Sequence, residues 1–148
     1  MGNLISILDK LQVLLIQLEE LQSEELKQLS WSKITPLSLQ TISDSKSQLL
    51  SAIDFYDNLR RIKEKEINLF APYSSSSDQL TAKWSGILKT VNSTSQLNQK
   101  IGQLLNVHLE KISELKKLID EKNIKSSIYE KHGAQSVEIT KKNYHISV

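Results

Sequence analysis

A single stretch in the second half of this sequence keeps a coiled-coil spacing over five heptads. Its seam alternates steps of three and four residues: Trp84, Ile87, Val91, Thr94, Asn98, Ile101, Leu105, His108, Ile112, Leu115 and Ile119. A seam sustained over this length favours one long helix that packs against other helices. We therefore predict a helix over about residues 79–122, which would be roughly 60 Å long at about 1.5 Å per residue.

Two shorter helices are predicted before it. Over about residues 3–29, leucines recur at helical spacing: Leu4, Leu8, Leu11, Leu15 and Leu18. The second helix is predicted over about residues 36–68, because Pro36 at the first helical position loses no hydrogen bond and Thr35 can cap the free N–H groups beside it. The charged end of this helix, from Arg60 to Glu66, is expected to be exposed.

The breaks between these segments define the fold class. Four consecutive serines, Ser74–Ser77, follow Pro72 and mark a loop, after which Asp78 can cap the third helix. Four glycines and two prolines are too few for the many tight turns of a sheet-rich fold. The predicted fold is all-α, an antiparallel three-helix bundle or coiled coil with a long third helix.

The helical periodicity stops near Asn123. We predict a helical bundle over residues 1–122 and a flexible C-terminal tail over residues 123–148. The third helix is longer than either of the other two can cover, so part of it is expected to lack partners within the chain. An apolar stripe falls in that part, and it is either core or a docking site for a partner helix. The stripe consists of Ile112, Leu115, Leu118 and Ile119.

The residues that carry chemistry in enzymes are absent or isolated. The sequence has no cysteine, no glycine-rich phosphate loop and no nucleophile motif. The histidines His108, His132 and His145 have no second ligand at metal-binding spacing. We therefore expect neither an enzyme nor a bound metal or cofactor. His108, on the seam, is expected to be a hydrogen-bonded or boundary histidine.

Charge and hydropathy exclude further classes of protein. The 19 basic and 17 acidic residues leave a net charge of +2, which gives no electrostatic footprint for a nucleic acid. No uncharged apolar run reaches the roughly 18 residues that span a bilayer, and the N-terminus lacks the pattern of a secretory signal. The expected protein is cytoplasmic and has no stable membrane insertion.

Two residues of the long helix bear on how tightly it packs. Asn98 on an apolar seam either fixes the register of the helices or reaches water at the helix edge. Gly102 lies within the predicted helix, where glycine costs about 1 kcal/mol relative to alanine. A glycine at such a position indicates that another backbone approaches closely.

Three short motifs follow one another along the chain. The second helix reads Lys46-Ser47-Gln48-Leu49-Leu50, with Arg60-Arg61 further on. The third helix reads Leu97-Asn98-Gln99-Lys100-Ile101-Gly102-Gln103-Leu104-Leu105, and the tail contains Ile128-Tyr129 and Gly133. Their order and spacing resemble the FlgN family of flagellar type III export chaperones. That family has a Lys-x-x-Leu-Leu element, a Leu-Asn-x-x-Asn-Gly-x-Leu-Leu element and a segment with Leu-Tyr-Gly.

The resemblance implies a chaperone that binds hook–filament junction proteins before export. It would hold their C-terminal helical region and deliver them to the flagellar export gate and components of the ATPase complex. The resemblance places client binding on Leu105, Ile112, Leu115, Leu118 and Ile119, and docking at the export gate on Tyr129. Core packing or register is expected of the motif residues Leu49, Leu50, Leu97, Asn98 and Gly102. The free protein is expected to be a monomer or a weak homodimer.

Two other functions stay open from the residues alone. The chain could be a structural coiled-coil subunit of an export apparatus, although the loop at Pro72–Ser77 and the irregular tail speak against continuous long helices. It could also be a membrane-surface helical protein, which a basic stripe on the third helix would support. That stripe consists of Lys111, Lys116, Lys117 and Lys122.

Overall fold

The computed structural model describes residues 2–31 and 33–124 of the chain. It contains three helices: α1 (Gly2–Leu29), α2 (Pro36–Ile67) and α3 (Asp78–Ile124). These bounds lie within two residues of the predicted ones, and the described ranges contain no strand. The prediction of an all-α bundle with a long third helix is confirmed. The predicted tail falls outside the described residues from position 125 onward.

Helix α1 lies at the centre of the bundle. Five leucines at helical spacing form its buried face, and each is at most 4% exposed: Leu4, Leu8, Leu11, Leu15 and Leu18. Helix α1 packs against both α2 and α3, whereas among the described residues no Cα atom of α2 lies within 8 Å of one in α3. The apolar face of α1 therefore provides most of the surface on which the other two helices pack.

Contacts between α1 and α2 show that these helices run antiparallel. Near the end of α1, Glu25 pairs with Lys46 at an O–N distance of 2.7 Å. Near its beginning, the Lys10 ammonium lies 5.8 Å from the ring centroid of Tyr56. Residue numbers therefore rise along α1 as they fall along α2, as the short connection between the two helices requires.

Helices α1 and α3 run parallel. Gln12 Nε2 donates a hydrogen bond to Thr90 Oγ1 at 3.1 Å. Further along, His108 Nε2 lies 2.8 Å from the carbonyl oxygen of Leu29, the last residue of α1. The two helices thus keep one register over the whole length of α1, and α1 ends before α3 does.

The helix N-termini differ in detail from the prediction. Thr35 is the N-cap of α2, but its side chain makes no cap hydrogen bond, and Pro36 follows it at the first helical position. At α3 the cap is Ser77, whose Oγ accepts from the Leu80 N–H at 3.3 Å. Asp78 is already the first helical residue. Its carboxylate there interacts favourably with the positive N-terminal end of the helix dipole.

Replacing Ser77 with alanine is expected to lower the free energy of unfolding by about 1 kcal/mol, because the variant leaves a first-turn N–H without its acceptor. Urea denaturation followed by circular dichroism measures this change. Ser75→Ala is the matched control, since Ser75 is an exposed loop residue. Equal stability of the two variants would show that the hydrogen bond from the Leu80 N–H to Ser77 does not stabilise the protein.

The charged end of α2 is not exposed as predicted. Arg60 is 2% and Glu64 is 5% exposed, whereas their neighbours Arg61 and Lys65 do face solvent. The chain that follows α2 folds back over this end and buries Tyr73, which is 1% exposed. The loop rather than solvent covers one side of the charged segment.

Candidate functional site

The C-terminal part of α3 extends beyond the rest of the bundle. His108 marks the boundary, because its Nε2 donates to the carbonyl of the last residue of α1 at 2.8 Å. A hydrogen-bonded boundary histidine is the predicted role of this residue. Residues 109–124 continue the same helix and project about 24 Å further at about 1.5 Å per residue. We call residues 109–124 the overhang.

One side of the overhang is apolar and open to water. Ile112, Leu115, Leu118 and Ile119 are between 56% and 61% exposed, and we call these four residues the overhang stripe. Their spacing of three and four residues places them along one side of the helix. Every residue from 109 to 123 is exposed. The stripe is therefore not core of the described bundle, and a contiguous exposed apolar face marks an interaction surface.

The remaining residues predicted to bind a client or dock at the export gate are placed differently. Leu105 is half-buried inside the bundle. It lies two helical turns before Ile112 and continues the same face of α3 toward the core. Tyr129 lies outside the described residues. The described part of the chain thus brings Leu105 and the overhang stripe onto one continuous face.

The structure places the predicted core and register residues in different surroundings. Leu49 and Leu50 are half-buried and pack against the core, and Leu97 is also half-buried. Asn98 is exposed, and no atom lies within 4 Å of the position that a Cβ at Gly102 would take. Neither a buried register contact nor a close backbone approach is therefore present there. The reason is that the backbone of α2 stays away from α3, which leaves one side of α3 uncovered.

A buried polar cluster lies at the opposite end of the bundle. Arg60 Nε and Nη2 contact Asp57 Oδ1 at 2.9 and 2.8 Å, and Arg60 Nη1 pairs with Glu64 Oε1. Tyr73 Oη donates to the same Glu64 oxygen at 2.5 Å. The side chains of Arg60, Asp57 and Glu64 are 3%, 5% and 7% exposed. We call these four residues the polar cluster; Arg61 adds a second cation to Asp57 at 3.2 Å.

Aromatic contacts enclose the polar cluster on the side of α3. The Arg60 guanidinium carbon lies 4.8 Å from the ring centroid of Trp84, and the Tyr73 ring meets Trp84 edge to face at 5.8 Å. Tyr73 has a φ of 62°, a costly backbone conformation for a bulky residue. Its carbonyl accepts a hydrogen bond from Thr81 at 3.1 Å. Through these contacts the cluster joins α2, the loop and α3, whose helical backbones do not approach each other.

The cluster holds two of its members in defined protonation states. Burial raises the pKa of Tyr73 well above its usual value of 10.0, and the hydrogen bond to Glu64 raises it further. For Arg60, burial acts to lower the pKa, but the hydrogen bond and negative charge of Asp57, followed by the hydrogen bond with Tyr73 and the negative charge of Glu64, together outweigh burial and the pKa is raised. The tyrosine therefore stays neutral and the arginine stays charged near neutral pH. The arrangement stabilises the fold and offers no open site for a substrate.

Replacing Tyr73 with phenylalanine is expected to lower the free energy of unfolding by about 1–2 kcal/mol below pH 10, because the hydroxyl–carboxylate bond is lost. The pKa of Tyr73 is raised on folding, so its contribution is present below the usual pKa of 10.0 and declines as the pH rises further. The stability gap between the original chain and the variant should therefore shrink above pH 10. Chemical denaturation at several pH values measures this gap, and a gap that widened at alkaline pH would contradict the sign.

The polar cluster has a signature in the sequence. Ile53, Asp57, Arg60 and Glu64 follow one another in steps of four, three and four residues, which places them on one face of α2. That face is buried along the helix. Charged residues at such spacings ordinarily pair on a solvated face, so the pattern by itself predicts exposure. Its burial follows from the fold of the loop over residues 68–77.

The described residues contain neither a metal-binding cluster nor a membrane-spanning helix. Within residues 2–31 and 33–124, no group of three or more histidine, cysteine, aspartate or glutamate side chains is placed to hold a metal ion. In the same ranges, no helix combines the length and the hydropathy needed to cross a bilayer.

Sequence similarity relates the chain to flagellar proteins. The flagella synthesis protein FlgN of Salmonella typhimurium is 30% identical to it over 111 residues, which are 75% of each chain. The protein of the same name in Escherichia coli is 32% identical over 111 residues, again 75% of both chains. That of Yersinia enterocolitica is 32% identical over 103 residues, which are 70% of this chain and 69% of the relative. No solved structure matches the chain.

A family model supports the same relationship over a longer range. The model described as FlgN protein matches residues 1–136, which include all three helices, the polar cluster and the overhang. The resemblance carried by the three short motifs is confirmed by this match and by the named relatives. The chain therefore belongs to the FlgN family.

Proposed function

We propose that the chain is a cytoplasmic export chaperone of flagellar assembly that binds the C-terminal helical region of hook–filament junction proteins. One observation carries this proposal: a helical apolar stripe, more than half exposed, projects beyond the bundle. The family membership supports the flagellar context. A chaperone of this kind needs a surface that can complete a helical bundle with its client, and the overhang stripe has that form.

The proposed mechanism follows from burial of apolar surface. A client with an amphipathic helix tends to self-associate when that helix is free. Pairing with the overhang stripe removes both apolar faces from water, at about 25 cal/mol per Å² buried. The loss of translational and rotational freedom on binding offsets part of this gain, so the complex remains releasable.

Delivery is the second part of the proposal. After binding, the chaperone would bring the client to the export gate and to components of the ATPase complex. The family resemblance assigns docking at the gate to Tyr129. A Tyr129→Ala variant would then keep its affinity for a client but lose its affinity for the cytoplasmic domain of the gate.

Isothermal titration tests the client-binding role. The full chain is titrated with purified C-terminal segments of hook–filament junction proteins, in parallel with a chain that ends after Leu109. We expect tight one-to-one binding by the full chain and loss of binding by the shortened one. A folded full-length chain that bound none of these segments would refute the assignment and favour a structural subunit instead.

A further inference from the structure

Charged residues border the overhang stripe on both sides. A helix turns by about 100° per residue, so residues seven apart point in nearly the same direction and residues four apart lie about 40° from each other. Lys111 lies seven residues before Leu118 and marks one edge of the stripe. Lys116 lies four residues after Ile112 and marks the other edge, while Lys122 lies in line with Leu115 at the end of the stripe. Three of the four charged residues on or beside the stripe are lysines, and Glu114, four residues before Leu118, is the fourth.

The opposite face of the overhang carries the reverse charge. Glu110, Asp120 and Glu121 lie there together with Lys117. The predicted basic stripe included Lys117, but Lys117 lies on the opposite face from the other three lysines. The overhang separates its charges, with mainly positive edges along the apolar stripe and a mainly negative back.

The three lysines on or beside the stripe are available to a partner. All three lie in the segment of α3 in which every residue from 109 to 123 is exposed. Among the described residues, Lys111, Lys116 and Lys122 take part in no ion pair. Their alkyl stems can cover the rim of an apolar contact while the ammonium groups stay in water.

We infer that the overhang stripe selects an amphipathic helix whose own apolar stripe is flanked by aspartate and glutamate. The inference deepens the proposed client-binding function and rests on it. In paired helices, residues at the edges of the apolar seam face each other and determine partner choice and orientation. Acidic edges on the partner would meet the lysine edges here. Complementary edge charges act mainly on specificity and on the rate of association.

The same charges disfavour a second copy of this chain as the occupant. In a parallel pair, Lys111 of one copy would face Lys116 of the other. In an antiparallel pair, equivalent edges meet, and Lys116 would lie near its own counterpart. The lysine edges thus keep the free chain from pairing through its own overhang. An anionic lipid surface is also disfavoured, because the polar back of the overhang is mainly acidic and would be repelled by it.

Two synthetic helical peptides with the same leucine and isoleucine stripe test the inference. One peptide has glutamate and the other has lysine at both edges, and each is titrated into the full-length protein. We expect the glutamate peptide to bind at least about tenfold tighter at low ionic strength, with a gap that narrows as salt is added. Equal affinity for the two peptides would overturn the inference.

A charge-reversed protein sharpens the test. Lys111→Glu with Lys116→Glu and Lys122→Glu should invert the preference, so that the lysine peptide binds better. The control variant carries the same change in net charge at exposed lysines away from the stripe edges, Lys65→Glu, Lys89→Glu and Lys117→Glu, and should keep the original preference. Binding to anionic phospholipid vesicles that only the edge variant loses, without any peptide preference, would assign the surface to lipid and overturn the inference.

The outcomes for this inference and for the proposed function can be separated. Junction-protein segments that bind equally well to the original chain and to the edge variant would refute the charge selection and leave the chaperone role intact. A clear preference for the glutamate peptide without any binding of junction-protein segments would refute the chaperone role and leave the charge selection intact.

Discussion

Replacing Arg60 with methionine is expected to lower the free energy of unfolding by about 3–5 kcal/mol. The side chain of Arg60 is 3% exposed and pairs with both Asp57 and Glu64. Without the guanidinium, the buried carboxylates of Asp57 and Glu64 would lose their main neutralising charge. Methionine restores much of the volume but none of the charge, so the loss is mainly electrostatic. Urea denaturation followed by circular dichroism measures the change.

The adjacent arginine provides a matched control. Arg61 also pairs with Asp57, at 3.2 Å, but its side chain is 44% exposed. An ion pair at that exposure contributes about 0–1 kcal/mol, so Arg61→Met should change stability little. Both variants remove one positive charge from neighbouring positions in the same helix. Similar effects of the two substitutions would show that burial does not set the strength of the polar cluster.

A combined variant separates lost charge from lost packing. Adding Asp57→Asn and Glu64→Gln to Arg60→Met removes the unpaired charges while keeping the approximate shapes. We expect part of the stability to return, because a neutral amide is much less costly to bury than an isolated carboxylate. If the triple variant were as unstable as Arg60→Met alone, the contact with Trp84 rather than charge balance would be the main contribution.

Replacing both Leu115 and Ile119 with alanine is expected to weaken binding of the client segments by at least about 100-fold. The two residues are 59% and 56% exposed in the free chain and lie one turn apart on the overhang stripe. Central apolar anchors of an interface commonly contribute about 2 kcal/mol or more each, and about 1.4 kcal/mol corresponds to a factor of ten. Alanine favours helix, so the overhang should remain helical. Titration and far-ultraviolet circular dichroism measure the two quantities.

A control elsewhere on the surface removes a similar amount of apolar area. Val13 and Ile16 are 48% and 43% exposed on α1. Val13→Ala with Ile16→Ala should leave the affinity for client segments unchanged. Normal affinity in the Leu115 and Ile119 variant would refute the overhang as the binding site. Equal losses in both variants would point to a general rather than a local effect of apolar surface.

The two regions tested by these variants lie at opposite ends of the bundle. The polar cluster joins the end of α2 to the beginning of α3, while the overhang leaves the bundle at His108. Effects at sites so far apart and without shared partners usually add. Arg60→Met should therefore lower stability without changing the affinity of the folded protein for a client.

Much of the fold could be predicted because each helix has a local signal in the sequence. The leucines of α1 recur with the helical period, and Pro36 marks the start of α2 at the position that the structure shows. The unequal lengths of the segments also predict that part of α3 lacks partners within the chain, but they do not decide whether the stripe in that part is core or exposed. Periodicity and segment length are properties of the sequence itself, so the helices that they predict are found in the folded protein.

The errors concern residues whose surroundings depend on other segments. Arg60 and Glu64 occur in a run of charges that would be solvated on an isolated helix, and the returning loop together with Trp84 of α3 buries them. For Asn98 the sequence left both a register contact and an exposed position open, and the structure places it on a side that α2 does not cover. The cap of α3 is Ser77 and not Asp78, because the position at which a helix begins depends on the loop before it.

The candidate site combines both kinds of information. The sequence determines that Ile112, Leu115, Leu118 and Ile119 share one side of a helix with lysines at its edges, because a regular helix converts spacing directly into direction. It could not determine that this side is uncovered, since an identical stripe could equally be core. That answer came from the tertiary structure, where α1 ends beside His108 and leaves residues 109–123 without cover. Burial is a relation between segments, and so only the packed chain decides it.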